Sequence, residues 1–288
     1  MYSPEFDYYR AGSIAEIGQL LRDHPGAKIL AGGHSLIPLL KLRLTSPPAL
    51  VDIGRVQALR GVALVGDRLR IGALTTHAEL STSPLVRAHA PALSSAAGHV
   101  GDLAVRNRGT IGGNVAHADP ASDLPAVLVA LGASFAIVGP GGERSVPVDA
   151  FFIGMMTTAL GERDVLTAIE VPVKTHGQGM AYVKCEHPAS RYAVIGVAAV
   201  VTISGGTCTA ASIALAGLVA TPTRVESVER VLVGQTITPQ TAARAAAYVA
   251  SDLGGDLIGD LYASSEYRRG VAPVYVRRAI LAAAERAH

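Results

Sequence analysis

Two short segments place adjacent glycines beside hydroxyl residues: Ala31-Gly32-Gly33-His34-Ser35 and Thr110-Ile111-Gly112-Gly113-Asn114. Glycine lacks a Cβ, tolerates positive φ and lets successive N–H groups converge on an anion. Ser35 and Thr110 add hydroxyl donors. One double glycine is usually an ordinary turn. Two of similar composition suggest a diphosphate held from two sides by main-chain amides. The more familiar phosphate loops are missing. No Gly-x-Gly-x-x-Gly opens a helix, and no Gly-x-x-x-x-Gly-Lys-Ser/Thr occurs, so neither a Rossmann site nor a P-loop is supported.

Other chemistries find little footing. Cys185 and Cys208 form no Cys-x-x-Cys, zinc or iron–sulfur spacing and read as reduced structural residues of a cytoplasmic protein. His77-Ala78-Glu79 has the His-x-Glu of a deaminase without the Pro-Cys-x-x-Cys that must follow. No Gly-x-Ser-x-Gly elbow supports hydrolysis. A net charge of +2 without Lys/Arg clusters interleaved with aromatics argues against nucleic acid. The N-terminus lacks a basic region followed by an apolar one, so no signal peptide is expected. Two long uncharged windows, 124–142 and 192–223, are broken by Pro and Gly, and they read as buried helix and strand pieces rather than membrane spans.

The elements that must position these residues follow from periodicity. With 288 residues, two domains are the natural division. Ile14 to Asp23 has apolar residues at helical spacing behind a capping Ser13. Lys28 to Ala31 is a brief strand entering the first glycine segment. Leu36 to Leu44 is then a connecting loop, and Ala49 to Ile53 the next strand. Gly66-Asp67 turns a hairpin between 61–65 and 68–72. Thr76 to Leu80 and Pro84 to Val100 read as helices, as does Leu124 to Leu131. Strand 134–138 turns at Pro140-Gly141-Gly142-Glu143 into 144–147. Asp164 to Pro172 reads as an edge strand. Residues 174–179 are polar and Gly-containing, the best linker candidate. Beyond them, strands 179–184, 196–203 and 208–218 form a meander with a turn at Gly205-Gly206. Ala-rich helices at 239–253 and 273–287 back it. A mean hydropathy of +0.34 fits an Ala/Val-rich core or a surface hidden in a partner.

Five ordered segments make the sequence specific: Gly32-Gly33-His34-Ser35-Leu36-Ile37-Pro38, Gly109-Thr110-Ile111-Gly112-Gly113-Asn114, Asp119-Pro120-Ala121-Ser122-Asp123-Leu124-Pro125, Thr167-Ala168-Ile169-Glu170-Val171-Pro172 and His187-Pro188-Ala189-Ser190-Arg191-Tyr192-Ala193-Val194. Through them the whole chain resembles the FAD-binding medium subunits of molybdenum hydroxylases. The aerobic carbon monoxide dehydrogenase type is the nearest, and the flavin region of xanthine dehydrogenase is a relative. The resemblance implies an α+β chain. Its first part would be a two-part FAD-binding domain of the p-cresol methylhydroxylase/vanillyl-alcohol oxidase type at 1–176, with lobes of about 1–55 and 56–176. A C-terminal domain, a β-meander plus helices, would occupy 177–288. Cofactor contacts are implied at Ile29, Leu30, Ala31, Gly32, Gly33, His34, Ser35 and Leu36, and at Thr110, Ile111, Gly112, Gly113 and Asn114. Asp123 would hold a flavin-side polar group, Leu166 pack near the adenine or ring system, and Lys184 sit near the flavin pyrimidine. Tyr192 looks like the aromatic covering one isoalloxazine face. Val100 stands where xanthine dehydrogenases carry an adenine-stacking aromatic, which leaves its role open. His34 is expected to make a noncovalent contact or pack the loop.

Each of these residues has a plainer alternative. Reduction of flavin leaves negative charge at N1, which a cation favours. One unit charge about 4 Å away at an effective dielectric near 20 is worth roughly 4 kcal/mol before solvation losses. Lys184 is the candidate cation; otherwise it is an exposed lysine beside a strand. Asp123 could instead cap the helix that begins near Pro125. Tyr192 could be a core aromatic.

The implied function is an electron-transfer oxidoreductase subunit with no catalytic residue and no metal of its own. Electrons would come from [2Fe–2S] clusters of a small partner subunit, pass through FAD and reach a quinone, oxygen or a nicotinamide. A large subunit would hold the molybdopterin cofactor, in a dimer of heterotrimers. The assembly would be cytoplasmic without transmembrane segments, with a peripheral position at the inner face of the membrane open to it. A stand-alone oxidase or reductase of the same fold is the rival, and a non-redox nucleotide-binding assembly module a third possibility.

Overall fold

The computed structural model describes residues 2–287. The chain begins with a small parallel sheet in which Ala49–Asp52 lies between Asp7–Arg10 and Lys28–Leu30. Helix Ile14–Asp23 buries Ile17 and Leu21 beside it, and the Ser13 hydroxyl accepts the Glu16 N–H at 3.1 Å. The first glycine bend leaves this sheet after Leu30 and runs into helix Leu36–Lys41. A helix here departs from the expected loop. Pro38 falls in the first turn, where no intrahelical N–H is needed, and Leu40 is drawn into the core.

A second, antiparallel sheet has the order Val62–Val65, Arg68–Gly72, Val165–Pro172, Ser134–Gly139, Gly142–Pro147. Val165–Pro172 is therefore its central strand, not an edge. Its Pro172 sits at the end of the run, where a missing N–H does not break the ladder, and the preceding residues Val165 to Ile169 are buried. Helices cover this sheet. The expected single helix 84–100 is two, Pro84–His89 and Pro91–His99, because Pro91 cannot donate and Ala90 leaves helical geometry ahead of it.

The C-terminal sheet is an antiparallel meander of Gln178–Glu186, Ala193–Ser204, Thr207–Ala216 and Thr223–Arg224. Gly205 and Gly206, at φ +57° and +78°, make its tight turn as expected. Both faces are covered. Met180, Tyr182, Ala198 and Val200 share a core with helix Asp123–Ala130. Ala181, Val197, Ala199 and Val201 pack with helix Ser265–Ala284. This explains the two uncharged windows. Every residue of Asp123–Ala130 is buried between the two larger sheets, and residues 193–201 are apolar on both alternating sets because neither face meets water there. The last helix starts eight residues earlier than Pro273 suggested. Ser264 caps it at Tyr267 N, 3.2 Å, and Pro273 lies within it. Residues 174–179 are an ordered crossing: Lys174 N donates to His89 O at 3.1 Å, and Gln178 already belongs to the sheet. Both cysteines are unpaired. Among the described residues, no helix is long and apolar enough to cross a membrane.

Candidate functional site

The two glycine bends meet. A Cβ on Gly32 would lie 2.1 Å from the Arg108 carbonyl oxygen and 3.0 Å from Gly109 Cα, so the contact requires glycine. Gly113 faces back, with Ala31 Cβ 3.9 Å from the position its own Cβ would take. An isolated bridge between Thr76 and Thr110 ties this junction to the helical layer.

The bends differ in what they offer. In the first, Gly33 takes φ +76°, and among the described residues no acceptor takes the N–H of Gly32, Gly33, His34 or Ser35. Ser35 precedes a helix yet makes no capping bond, so its hydroxyl is also free. His34 Nδ1 lies 3.0 Å from Gly32 O, a contact within the bend itself. The second segment is not a loop. It is the start of helix Ile111–His117, capped by Thr110 Oγ1, which accepts Gly113 N–H at 3.2 Å. Ile111 N donates to Thr75 O, Gly112 N to Ala73 O and Asn114 N to Thr110 O. Amides from both bends were expected to grip a diphosphate; in the second they are already committed within the chain. What it leaves open is the Thr110 O–H and the bare face of Gly113. Ile29 and Leu30 are half-buried strand residues leading into the first bend, and Leu36 opens the following helix.

Asp123 departs from the capping alternative. Ser122 holds the N-cap position, its hydroxyl donating to Asn114 Oδ1 at 2.8 Å, while the Asp123 carboxylate turns into the protein. There it accepts from the Tyr182 hydroxyl and from Lys184 Nζ, 2.9 Å away. Lys184 Nζ also donates to His99 O at 3.1 Å. The exposed-lysine alternative fails too, since the Lys184 side chain is only 2% exposed. Burial pushes the Asp123 carboxyl above the usual carboxylate range, with Lys184 and Tyr182 opposing it. Lys184 is thus one half of a buried ion pair rather than a bare unit charge, and the roughly 4 kcal/mol expected of an uncompensated cation must be much reduced. Val100 follows the His99 carbonyl directly, half-buried, and its own carbonyl accepts Arg106 Nη1 at 3.0 Å. Leu166 is buried next to a register shift in the central strand.

Tyr192 is not a core aromatic: it is 42% exposed, on a loop closed by His187 N donating to Tyr192 O at 2.8 Å. Burial first, then the charges of Asp119 and Asp123, raise its phenol above the usual range. Ala193 N donates to Ala121 O at 3.0 Å and Gly217 N to Pro120 O at 2.8 Å, clamping the 119–123 turn to the C-terminal sheet. A cavity of about 260 Å³ lies there, lined in part by Asp119, His187, Tyr192 and Arg268.

Tyr182, and the buried position of His77, escaped the sequence. Tyr182 and Lys184 are two apart on one strand and so share a face, the signal that links them, but nothing local shows that Asp123 lies opposite. His77 packs its ring against Gly109 behind the bend junction, 3% exposed, with Nδ1 unpartnered. Burial, helped by the positive fields of His34 and Arg106, lowers it to about 4.

Comparison with known proteins agrees with this architecture. The family described as "FAD binding domain in molybdopterin dehydrogenase" matches residues 4–174, and "CO dehydrogenase flavoprotein C-terminal domain" matches 180–283. The chain is 40% identical to the carbon monoxide dehydrogenase medium chain of Hydrogenophaga pseudoflava, covering 98% of each. It is 37% identical to the 6-hydroxypseudooxynicotine dehydrogenase complex subunit alpha of Paenarthrobacter nicotinovorans, covering 100% of this chain and 97% of the relative. A solved structure of the Hydrogenophaga pseudoflava carbon monoxide dehydrogenase superposes with a TM-score of 0.96 over 100% of both chains at 40% identity.

Proposed function

The chain belongs to the family of FAD-binding medium subunits of carbon monoxide dehydrogenase-type molybdenum hydroxylases, and on that premise we propose that it carries electrons within such a complex. The direction proposed is from [2Fe–2S] clusters of a small partner subunit, through FAD, to an external acceptor, while a large partner holds the molybdopterin centre. Bound FAD supplies the exchange between one-electron and two-electron chemistry.

The residues present fit that cofactor. The observation that carries the reading is the first bend: four consecutive amides and a Ser35 hydroxyl without a partner among the described residues, and a glycine at positive φ, pressed against the second bend. Gly32, Gly33, His34 and Ser35 would hold the diphosphate by N–H donation, with the Thr110 hydroxyl on the other side. Asp123 and Lys184 would present a fixed acceptor and donor to the polar edge of the ring system. Tyr192, half-exposed above the 119–123 turn, would cover one ring face and exclude water. Val100 and Leu166 would contribute apolar packing.

Relatives of nearly equal identity carry the names of complexes acting on carbon monoxide and on 6-hydroxypseudooxynicotine. That spread supports a substrate chosen outside this chain. The test is to purify the chain from its own cells with whatever accompanies it. One FAD per chain, together with iron–sulfur and molybdenum-containing subunits, is the expected result. A flavin-loaded chain that runs alone and turns over a small alcohol or enoyl substrate would contradict it.

A further inference from the structure

We propose that Tyr182 is a positioning residue for the flavin-side ion pair: its hydroxyl fixes the Asp123 carboxylate so that Lys184 remains a compensated cation. The inference rests on the reading that flavin binds against Lys184.

The geometry isolates the role of the hydroxyl. Tyr182 is 6% exposed, and its O–H donates to one carboxylate oxygen of Asp123, while Lys184 Nζ stands 2.9 Å from the carboxylate. The fold makes room for that hydroxyl. A Cβ on Gly196, on the neighbouring strand, would lie 2.4 Å from Tyr182 Oη, so only glycine there lets the phenol reach Asp123. The ionisable groups facing Asp123 are Lys184 and Tyr182 from strand Gln178–Glu186 and His99 from helix Pro91–His99, with Asp119 and Tyr192 at the rim of the turn. Apart from Lys184, Tyr182 is the one that donates directly to the carboxylate.

A buried carboxylate that loses a donor becomes harder to keep ionised. In Tyr182→Phe, Asp123 therefore takes a proton at higher pH, and Lys184 is left with uncompensated positive charge. Positive charge beside flavin favours its reduced form. The pair would pass from neutral to net positive only in the pH range where Asp123 is newly protonated. Tyr182 thus acts through Asp123.

The test is the midpoint potential of FAD bound to the full-length chain, followed across pH. Tyr182→Phe is expected to shift it positive on the acid side and to move the pH-dependent step to higher pH than in wild type. Gly196→Ala keeps the phenol but displaces its oxygen, and the same shift is expected from it, which covers the case of a Phe variant that does not fold. In an Asp123→Asn background, adding Tyr182→Phe is expected to produce no further shift. A Tyr182→Phe potential that follows wild type at every pH, or a shift that persists with Asn at 123, overturns the proposal. Lys184→Met separates it from the reading beneath it. If that change leaves the potential unmoved, flavin does not lie at the pair and both fall. If it moves the potential while Tyr182→Phe does not, only the role of Tyr182 falls.

Discussion

At the scale of single residues, the site depends on buried polar groups whose partners are few. Lys184 and Asp123 were legible only through the family resemblance carried by the ordered segments, since neither composition nor spacing singles them out. That they face each other was not visible, since a strand and a helix start 61 positions apart carry no local mark of contact. Removing one member of a buried pair leaves the other charge stranded. Lys184→Met is accordingly expected to destabilise the fold by about 3–5 kcal/mol, measured as a drop in the urea midpoint at neutral pH. His77 gives a pH signature. Its folded value of about 4 lies below the ordinary 6.5, so between those limits the unfolded chain binds more protons and stability rises with pH. The contribution is full above pH 6.5 and lost as pH falls through 4, about 3 kcal/mol in all. Urea midpoints taken across that window should slope in wild type and flatten in His77→Gln. Equal slopes would mean His77 is not held neutral.

At the scale of elements, turn glycines and proline positions decide where the chain bends. The turns at Gly66 and Gly205-Gly206 could be read directly, because positive φ in a hairpin leaves little choice but glycine. The second glycine segment misled for a physical reason. Glycine is a poor helix former, so Gly112-Gly113 reads as loop. Tertiary contact overrides propensity: a Cβ on Gly112 would lie 2.5 Å from Ala73 Cβ, and the helix start must pass that close to join the sheet. Gly32 has the same constraint with a different consequence. Gly32→Ala should force the bends apart, destabilise by about 1–3 kcal/mol as overpacking does, and yield protein with less bound FAD than wild type. Gly141→Ala, where a Cβ meets nothing within 4 Å, is the control expected to change neither. Flavin content and thermal melts of the two variants decide the point. Thr110→Ala removes one helix cap and should lower stability by about 1 kcal/mol.

At the scale of the whole molecule, a fully buried helix helps join the two halves. Asp123–Ala130 is buried along its entire length, and its core reaches both the five-stranded sheet and the C-terminal meander. The high mean hydropathy of +0.34 is explained in part by this shared layer, which the sequence showed only as an uncharged run without saying what covered it. The halves should therefore unfold together. Leu128→Ala, at a fully buried position of that helix, is expected to lower stability by about 2–5 kcal/mol while leaving a single transition by both circular dichroism and fluorescence. Two separated transitions in wild type would contradict a common core. Cofactor binding requires the first glycine bend to receive a diphosphate, and a crystal structure of the chain grown with FAD tests this. Diphosphate density within hydrogen-bond reach of the Gly32, Gly33, His34 and Ser35 amides is the predicted result. Ordered FAD with its diphosphate elsewhere, and those four amides still without a partner, would contradict it.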